Sequence, residues 1–243
     1  MKKRIVALIT FLVFSITTAH ASILGSLSIH SDKIDIGKGV NLHNNVFLSD
    51  QNGVGNQTEY YAEYTPNDSV VPVVITGDKI YGKRTIKEIM EYMRENGMVP
   101  MLGINASFFS VATGIPMGHV ITDGVVTSKD NRTLAGVGFE ADGTAFVEDL
   151  CIETSVSFGE DYILQIPHIN KLISKDTQMT TLFTKDFGDK TGVETQTINV
   201  ILENVTDDVR IGQEFTATVK EVVTTELPLT INENEMVISV NTA

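Results

Sequence analysis

Apolar and β-branched residues recur along this chain in short runs that end at Gly, Asn or Asp, which is the pattern of strands rather than helices. Such runs fall at residues 34–36, 40–48, 60–64 and 70–76, and again at 152–158, 179–184, 197–202, 215–223 and 236–240. Asp123-Gly124 and Asp142-Gly143 each sit between two apolar runs. That dipeptide supplies the positive φ angles of a tight turn, so 119–127 and 136–147 are predicted hairpins. Helical spacing is clear once. Ile86, Ile89, Met90 and Met93 recur at intervals of three and four, Thr85 and Glu88 form a capping box, and Gly97 follows. One helix is therefore expected at 85–96 with its apolar stripe laid on a sheet, followed by a buried strand at 99–104 that delivers Asn105 at its end. These elements define an α+β fold class, a β-rich mixed sheet with few helices.

The N-terminus follows a different rule. Lys2, Lys3 and Arg4 precede the apolar run 5–16, and Ala19-His20-Ala21 supplies a small-x-small cleavage site, so residues 1–21 read as a secretory signal peptide. The run is shorter than the roughly 20 apolar residues a spanning helix needs, so no stable membrane span is expected after cleavage. Residues 22–243 read as one domain with a soft seam near Asp149, and the expected location is secreted or cell-surface.

Composition narrows the chemistry. At 42% hydrophobic and 20% charged residues the chain can form a core, and its net charge of −13 argues against a nucleic-acid partner. Cys151 is the single cysteine, which excludes an intramolecular disulfide and a cysteine-rich zinc site. The Asp clusters lack the ligand spacing of a calcium loop, and neither a metal nor a cofactor is expected. There is no Gly-x-Ser-x-Gly elbow, no His-Glu-x-x-His and no phosphate-binding Walker loop, so a serine hydrolase, a zinc protease and an NTPase are disfavoured.

The informative stretch runs from Gly103 to Val147. A polar side chain at a strand end, followed by aromatics and glycines, is how a pocket rim is built. Asn105 offers a donor and an acceptor, Phe108 and Phe109 can wall a sugar ring, and Gly114 and Gly118 let backbone approach a ligand. The same residue types also fit a plainer account in which the two Phe are core, Asn105 is a satisfied buried amide and the glycines only form turns.

Three segments in order carry a resemblance: Asn-Ala-Ser-Phe-Phe from Asn105, Gly-Ile-Pro-Met-Gly-His-Val-Ile-Thr-Asp-Gly from Gly114, and Gly-Val-Gly-Phe-Glu-Ala-Asp-Gly-Thr-Ala-Phe from Gly136. Together they resemble the phosphodiester glycosidase family, the N-acetylglucosamine-1-phosphodiester α-N-acetylglucosaminidase-like domain. The likeness covers roughly residues 60–191 and includes Met-Thr-Thr-Leu-Phe-Thr-Lys-Asp-Phe-Gly from Met179, where Phe183 and Phe187 stand in place of the family's tyrosines. It implies a secreted hydrolase with a mixed α/β core, acting on glycosyl phosphodiesters in cell-surface glycan or exopolysaccharide. The family's Pro-Arg-Thr-Ala-type segment and its later Asp-Gly-Gly-Gly-Ser motif do not occur before Ala243, so the domain is read as incomplete at its C-terminus. A non-catalytic glycan-binding or interaction module derived from the same fold is the alternative.

Cleaving a sugar from a phosphodiester needs acid/base groups and a hold on the phosphate. His119, which follows Gly118 in the family-like motif, and Asp123 are the catalytic candidates, though a lone strand histidine is often structural and a turn favours Asp in any case. Asn105, Phe108, Phe109, Gly118 and Arg132 are the substrate-binding candidates. Lys129 and Arg132 flank the next loop and could meet an anion, although a solvated loop charge accounts for both. An acidic chain repels an anionic substrate at long range, so capture requires a local basic patch, glycine-loop amides or a bridging cation. The expectation that joins these residues is that Asn105 and His119 converge on one carbohydrate-shaped hollow.

Overall fold

The computed structural model describes residues 27–49, 55–159 and 161–241. The expected signal peptide, 1–21, lies outside them. The chain divides into two compact units at Thr65–Pro66, whereas Asp149 falls inside a strand.

The first unit is an antiparallel meander of β1 (Leu27–Gly37), β2 (Val40–Ser49) and β3 (Gly55–Tyr64), with β2 in the middle. Gly37, Lys38 and Gly39 all take positive φ in the tight β1–β2 turn. Cross-strand rungs on one face are polar. The Ser31 hydroxyl donates to Asn45 Oδ1, the Asn45 amide donates to Glu59, and the His43 ring stacks on Tyr61 with centroids 4.4 Å apart.

The second unit begins with helix α1 (Ile86–Glu95), which carries the expected capping box: Glu88 N–H donates to Thr85 Oγ1 and Thr85 N–H donates to Glu88 Oε2. Short strands follow: β4 (Val120–Thr122), β5 (Val125–Ser128), β6 (Leu134–Phe139), β7 (Ala145–Leu150), β8 (Ser155–Phe158), β9 (Tyr162–Gln165), β10 (His168–Ile169), β11 (Thr180–Phe183), β12 (Thr197–Glu203), β13 (Thr218–Thr225) and β14 (Met236–Asn241). β4–β5, β6–β7 and β8–β9 are two-stranded hairpins, and the first two turn at the Asp-Gly pairs.

The core belongs to a five-stranded sheet in the order β10-β11-β14-β12-β13, antiparallel except for the β10–β11 pair. Side chains on neighbouring strands share a face when they share a register rung, so alternate residues separate two apolar layers. Phe183, Val237 and Ile201 form one rung and pack with Ile173, Phe187 and Ile231. Leu182 and Ile238 face the other way and pack with Val126, Ile166, Ile169 and Val209. Phe187 meets Phe183 edge to face at 4.9 Å.

The architecture corrects the expected α+β class. Strands hold 45% of the described residues and helix 5%, so the protein is predominantly β there. The helix is present, but none of its residues is buried and no strand among the described residues packs against it. A helical layer on a sheet, which α+β requires, is therefore not formed. The segment 99–104 is also not the expected buried strand. It has no ladder partner, and Val99 and Ile104 are 87% and 80% exposed. Pro100 removes a ladder donor at its start. The run 70–76 is likewise irregular apart from a single bridge at Val70.

Candidate functional site

Residues 108–118, which join the end of the first family-like segment to the start of the second, fold back on themselves. Met117 N–H donates to Phe108 O at 2.8 Å, Ser110 N–H to Ile115 O at 2.9 Å and Gly114 N–H to Ser110 O at 2.7 Å. This small loop ties Phe108 to Met117 and Phe109 to Pro116. It needs glycine at its tip: Gly114 has φ +79°, and an added Cβ would come within 2.1 Å of Gly82 O. The close approach is thus to the protein's own backbone, where Gly82 N–H donates to Thr113 O, and not to a ligand. Gly114→Ala is expected to lose about 2–4 kcal/mol of unfolding free energy in urea titrations, since both the steric clash and the left-handed backbone oppose it.

A buried lysine holds the other end of the loop. Lys171 Nζ donates to Pro116 O and, at 2.9 Å, to Gly118 O, which also accepts the Ser128 hydroxyl. Burial pushes the Lys171 ammonium down to about 8, partly offset by Asp130, while Arg132 adds to the depression. Lys129 is buried as well, donating to Ile166 O at 2.7 Å and Pro167 O at 3.0 Å, so it is not the solvated loop charge its sequence position suggested. Burial lowers its pKa too.

His119 lies next to this clamp with both ring nitrogens engaged by main chain. Asp130 N–H donates to Nδ1 at 3.3 Å, which leaves the proton on Nε2 to donate to Arg132 O at 3.1 Å. Its place in the fold is to hold the loop 130–132. Arg132 itself is exposed and grips Asp130, with Nε to Oδ1 at 2.7 Å and Nη2 to Oδ2 at 3.2 Å. Burial alone would raise the Asp130 pKa, but the Arg132 hydrogen bonds and charge, with Lys171, hold it below the usual carboxylate value. Arg132 thus pairs directly with Asp130, while the buried Lys171 and Lys129 act on the same region at longer range, with Glu153 also acting on Lys129.

His168 and Asn170, which in the sequence stand out only as a loose polar pair in Ile-Pro-His-Ile-Asn and not as site candidates, also belong to this region. Asn170 is wholly buried at φ +55°, its amide nitrogen donating to Thr127 O and Thr184 Oγ1 while its Oδ1 accepts Thr184 N–H. His168 is pushed down to about 4, chiefly by burial, with Lys129 and Lys171 also lowering it and Asp130 opposing. Its folded value lies below the ordinary 6.5, so the neutral ring's contribution is complete above about pH 6.5 and is lost as pH falls through about 4. Relative to His168→Gln, wild type is expected to lose roughly 2 kcal/mol over that window in urea unfolding, after allowing for solvent screening at the partly exposed edge of the ring.

The remaining candidates sit elsewhere. Asn105 is exposed on the irregular segment, and Phe108 is 88% exposed, so it is not a core residue. Asp123 occupies the β4–β5 turn, at the far end of β4 from His119, where its carbonyl accepts Arg210 Nη1 at 3.0 Å. Among the described residues, a hollow of 570 Å³ lies along α1 and another of 230 Å³ is lined by Asp186, Asp207, Asp208 and Glu233 among others; Asn105 and His119 line neither of these. Among the described residues, no group of three or more His, Cys, Asp or Glu could hold a metal ion, and no helix is long and apolar enough to cross a membrane.

No family model matches the chain, and no curated protein matches it significantly. A search of solved structures finds similarity to the crystal structure of a hypothetical protein from Synechocystis, with a TM-score of 0.60 at 12% identity over 87% of this chain and 37% of that one. At that identity the likeness concerns the fold alone. The chain spans little more than a third of that protein's length, 37%.

Proposed function

We propose that this chain is an exported protein of the phosphodiester glycosidase type that engages glycosyl phosphodiesters of cell-surface glycan or exopolysaccharide as a hydrolase. The observation that supports this reading is the exposed Arg132–Asp130 pair, with the buried Lys171 and Lys129 nearby, beside the loop that carries Gly118 and His119. In a chain with a net charge of −13, a local basic group is one of the routes by which a phosphate can be captured. Arg132 is the exposed member, able to turn its fork from Asp130 to a phosphate, and the exposed Phe108 offers a face on which a sugar ring can lie. A second reading, a glycan-binding module without turnover, is favoured by the engagement of both His119 nitrogens with main chain, which leaves that ring no free base.

One experiment separates the two. Purified protein is titrated with UDP-N-acetylglucosamine by calorimetry and assayed for free sugar. Binding with sugar release supports the hydrolase, and binding without release supports the module. Arg132→Ala and Phe108→Ala are each expected to weaken binding about tenfold while leaving thermal unfolding unchanged. Neither binding nor release at millimolar ligand defeats both readings.

A further inference from the structure

We infer that His168 and Thr181 hold one buried water between them, at a solvation site inside the five-stranded sheet. The two residues are register partners in the parallel β10–β11 pair, so their side chains lie side by side on one face. Their sequence neighbours Ile169 and Leu182, also register partners, point to the opposite face and join its apolar core. Thr181 is fully buried, yet its hydroxyl has no hydrogen-bond partner; the Nδ1 atom of His168 is buried and equally unpartnered. Two buried polar atoms left bare on adjacent strands are costly, and a shared partner removes both costs at once.

The geometry suits a water. Register partners on adjacent strands can hydrogen-bond directly, as Ser239 and Asn199 do, but His168 Nδ1 and Thr181 Oγ1 make no such bond, so one small molecule able both to donate and to accept is the simplest shared partner. A larger ligand has no access, since both atoms are buried. The same rung continues across the sheet through Ser239 and Asn199, and there every polar group is paired: Ser239 Oγ donates to Asn199 Oδ1 at 2.6 Å and Asn199 Nδ2 to Val223 O at 3.2 Å. Between β10 and β11 the row carries no side-chain hydrogen bond from His168 Nδ1 or Thr181 Oγ1. The charged groups acting on His168 are Asp130, Lys129 and Lys171; none of their hydrogen bonds goes to Nδ1, so they do not replace the water.

Thr181→Val decides by sign. With the water present, the substitution strands His168 Nδ1 and lowers the urea midpoint by about 0.5 M; an unhydrated hydroxyl exchanged for a methyl leaves the midpoint unchanged or raises it, which overturns the inference. In the His168→Phe background the same substitution is expected to lower the midpoint little further, and full additivity counts against a shared partner. The full chain also supplies a direct readout: a long-lived water cross-peak to the amides of Ile169 and Leu182, present in wild type and in Thr181→Ser and lost in Thr181→Val. Its absence from wild type overturns the inference even where Thr181→Val fails to fold.

Discussion

Asn170→Ala is expected to lower the unfolding free energy by about 3–5 kcal/mol, the largest effect of any single side-chain truncation in the region. The wild-type amide makes three hydrogen bonds at 2.8–2.9 Å in a fully buried position, joining the end of β5 through Thr127 O to the end of β11 through Thr184. Truncation leaves a carbonyl and an amide N–H without partners and places a Cβ-bearing residue that cannot bond locally at φ +55°. Asn170→Gly removes the same hydrogen bonds but relieves the backbone term, so it should be milder by about 1 kcal/mol. Urea titration of the three proteins tests both numbers. A loss below 1 kcal/mol for Asn170→Ala would mean that β5 and β11 are joined by packing alone.

What the sequence disclosed and what it concealed divide by range. The turns at Asp123-Gly124 and Asp142-Gly143 and the capping box of Thr85 and Glu88 rest on residues at most four apart, and they appear where the local chemistry puts them. The strand expected at 99–104 fails because an apolar run specifies only a wish for burial; the partner that would bury it lies beyond any local signal, and Val99 and Ile104 stay exposed. Lysine burial is concealed for the same reason. The carbonyls that receive Lys129 are 37 and 38 residues away and those that receive Lys171 are 55 and 53 away, so nothing near either lysine marks it as different from a solvated one. His119 was legible as a special position, next to Gly118, but not its work: the structure gives it two main-chain partners, which is loop support. The strands β11, β12 and β14 were legible as apolar, β-branched runs, whereas the polar rung of Thr181, Ser239 and Asn199 that crosses them depends on register, and register is set by pairing.

Lys171 ties the candidate site to stability through pH. Its folded value of about 8 lies below its ordinary 10.5, so between those values the folded protein has released a proton that the unfolded chain still holds. The contribution of this group to stability therefore rises with pH across the window from about 8 to 10.5, and the full cost of burying the charge is felt below 8. Wild type should gain up to about 3 kcal/mol relative to Lys171→Met over that interval, since methionine matches the stem but does not titrate. At pH 7 the variant trades two opposing terms: it escapes the buried charge, but it takes the ammonium donor from Pro116 O and leaves Gly118 O with the Ser128 hydroxyl alone. The loop 114–118 then loses its anchor while the sheet beneath keeps its core. Proteolysis at neutral pH should accordingly cut Lys171→Met within 108–118 before global unfolding, and wild type should resist. Equal protection of both proteins there, with no difference in the slope of stability against pH, would show that the ammonium is a passenger in its pocket and that the loop is held by the hydrogen bonds of Ser110 and Met117.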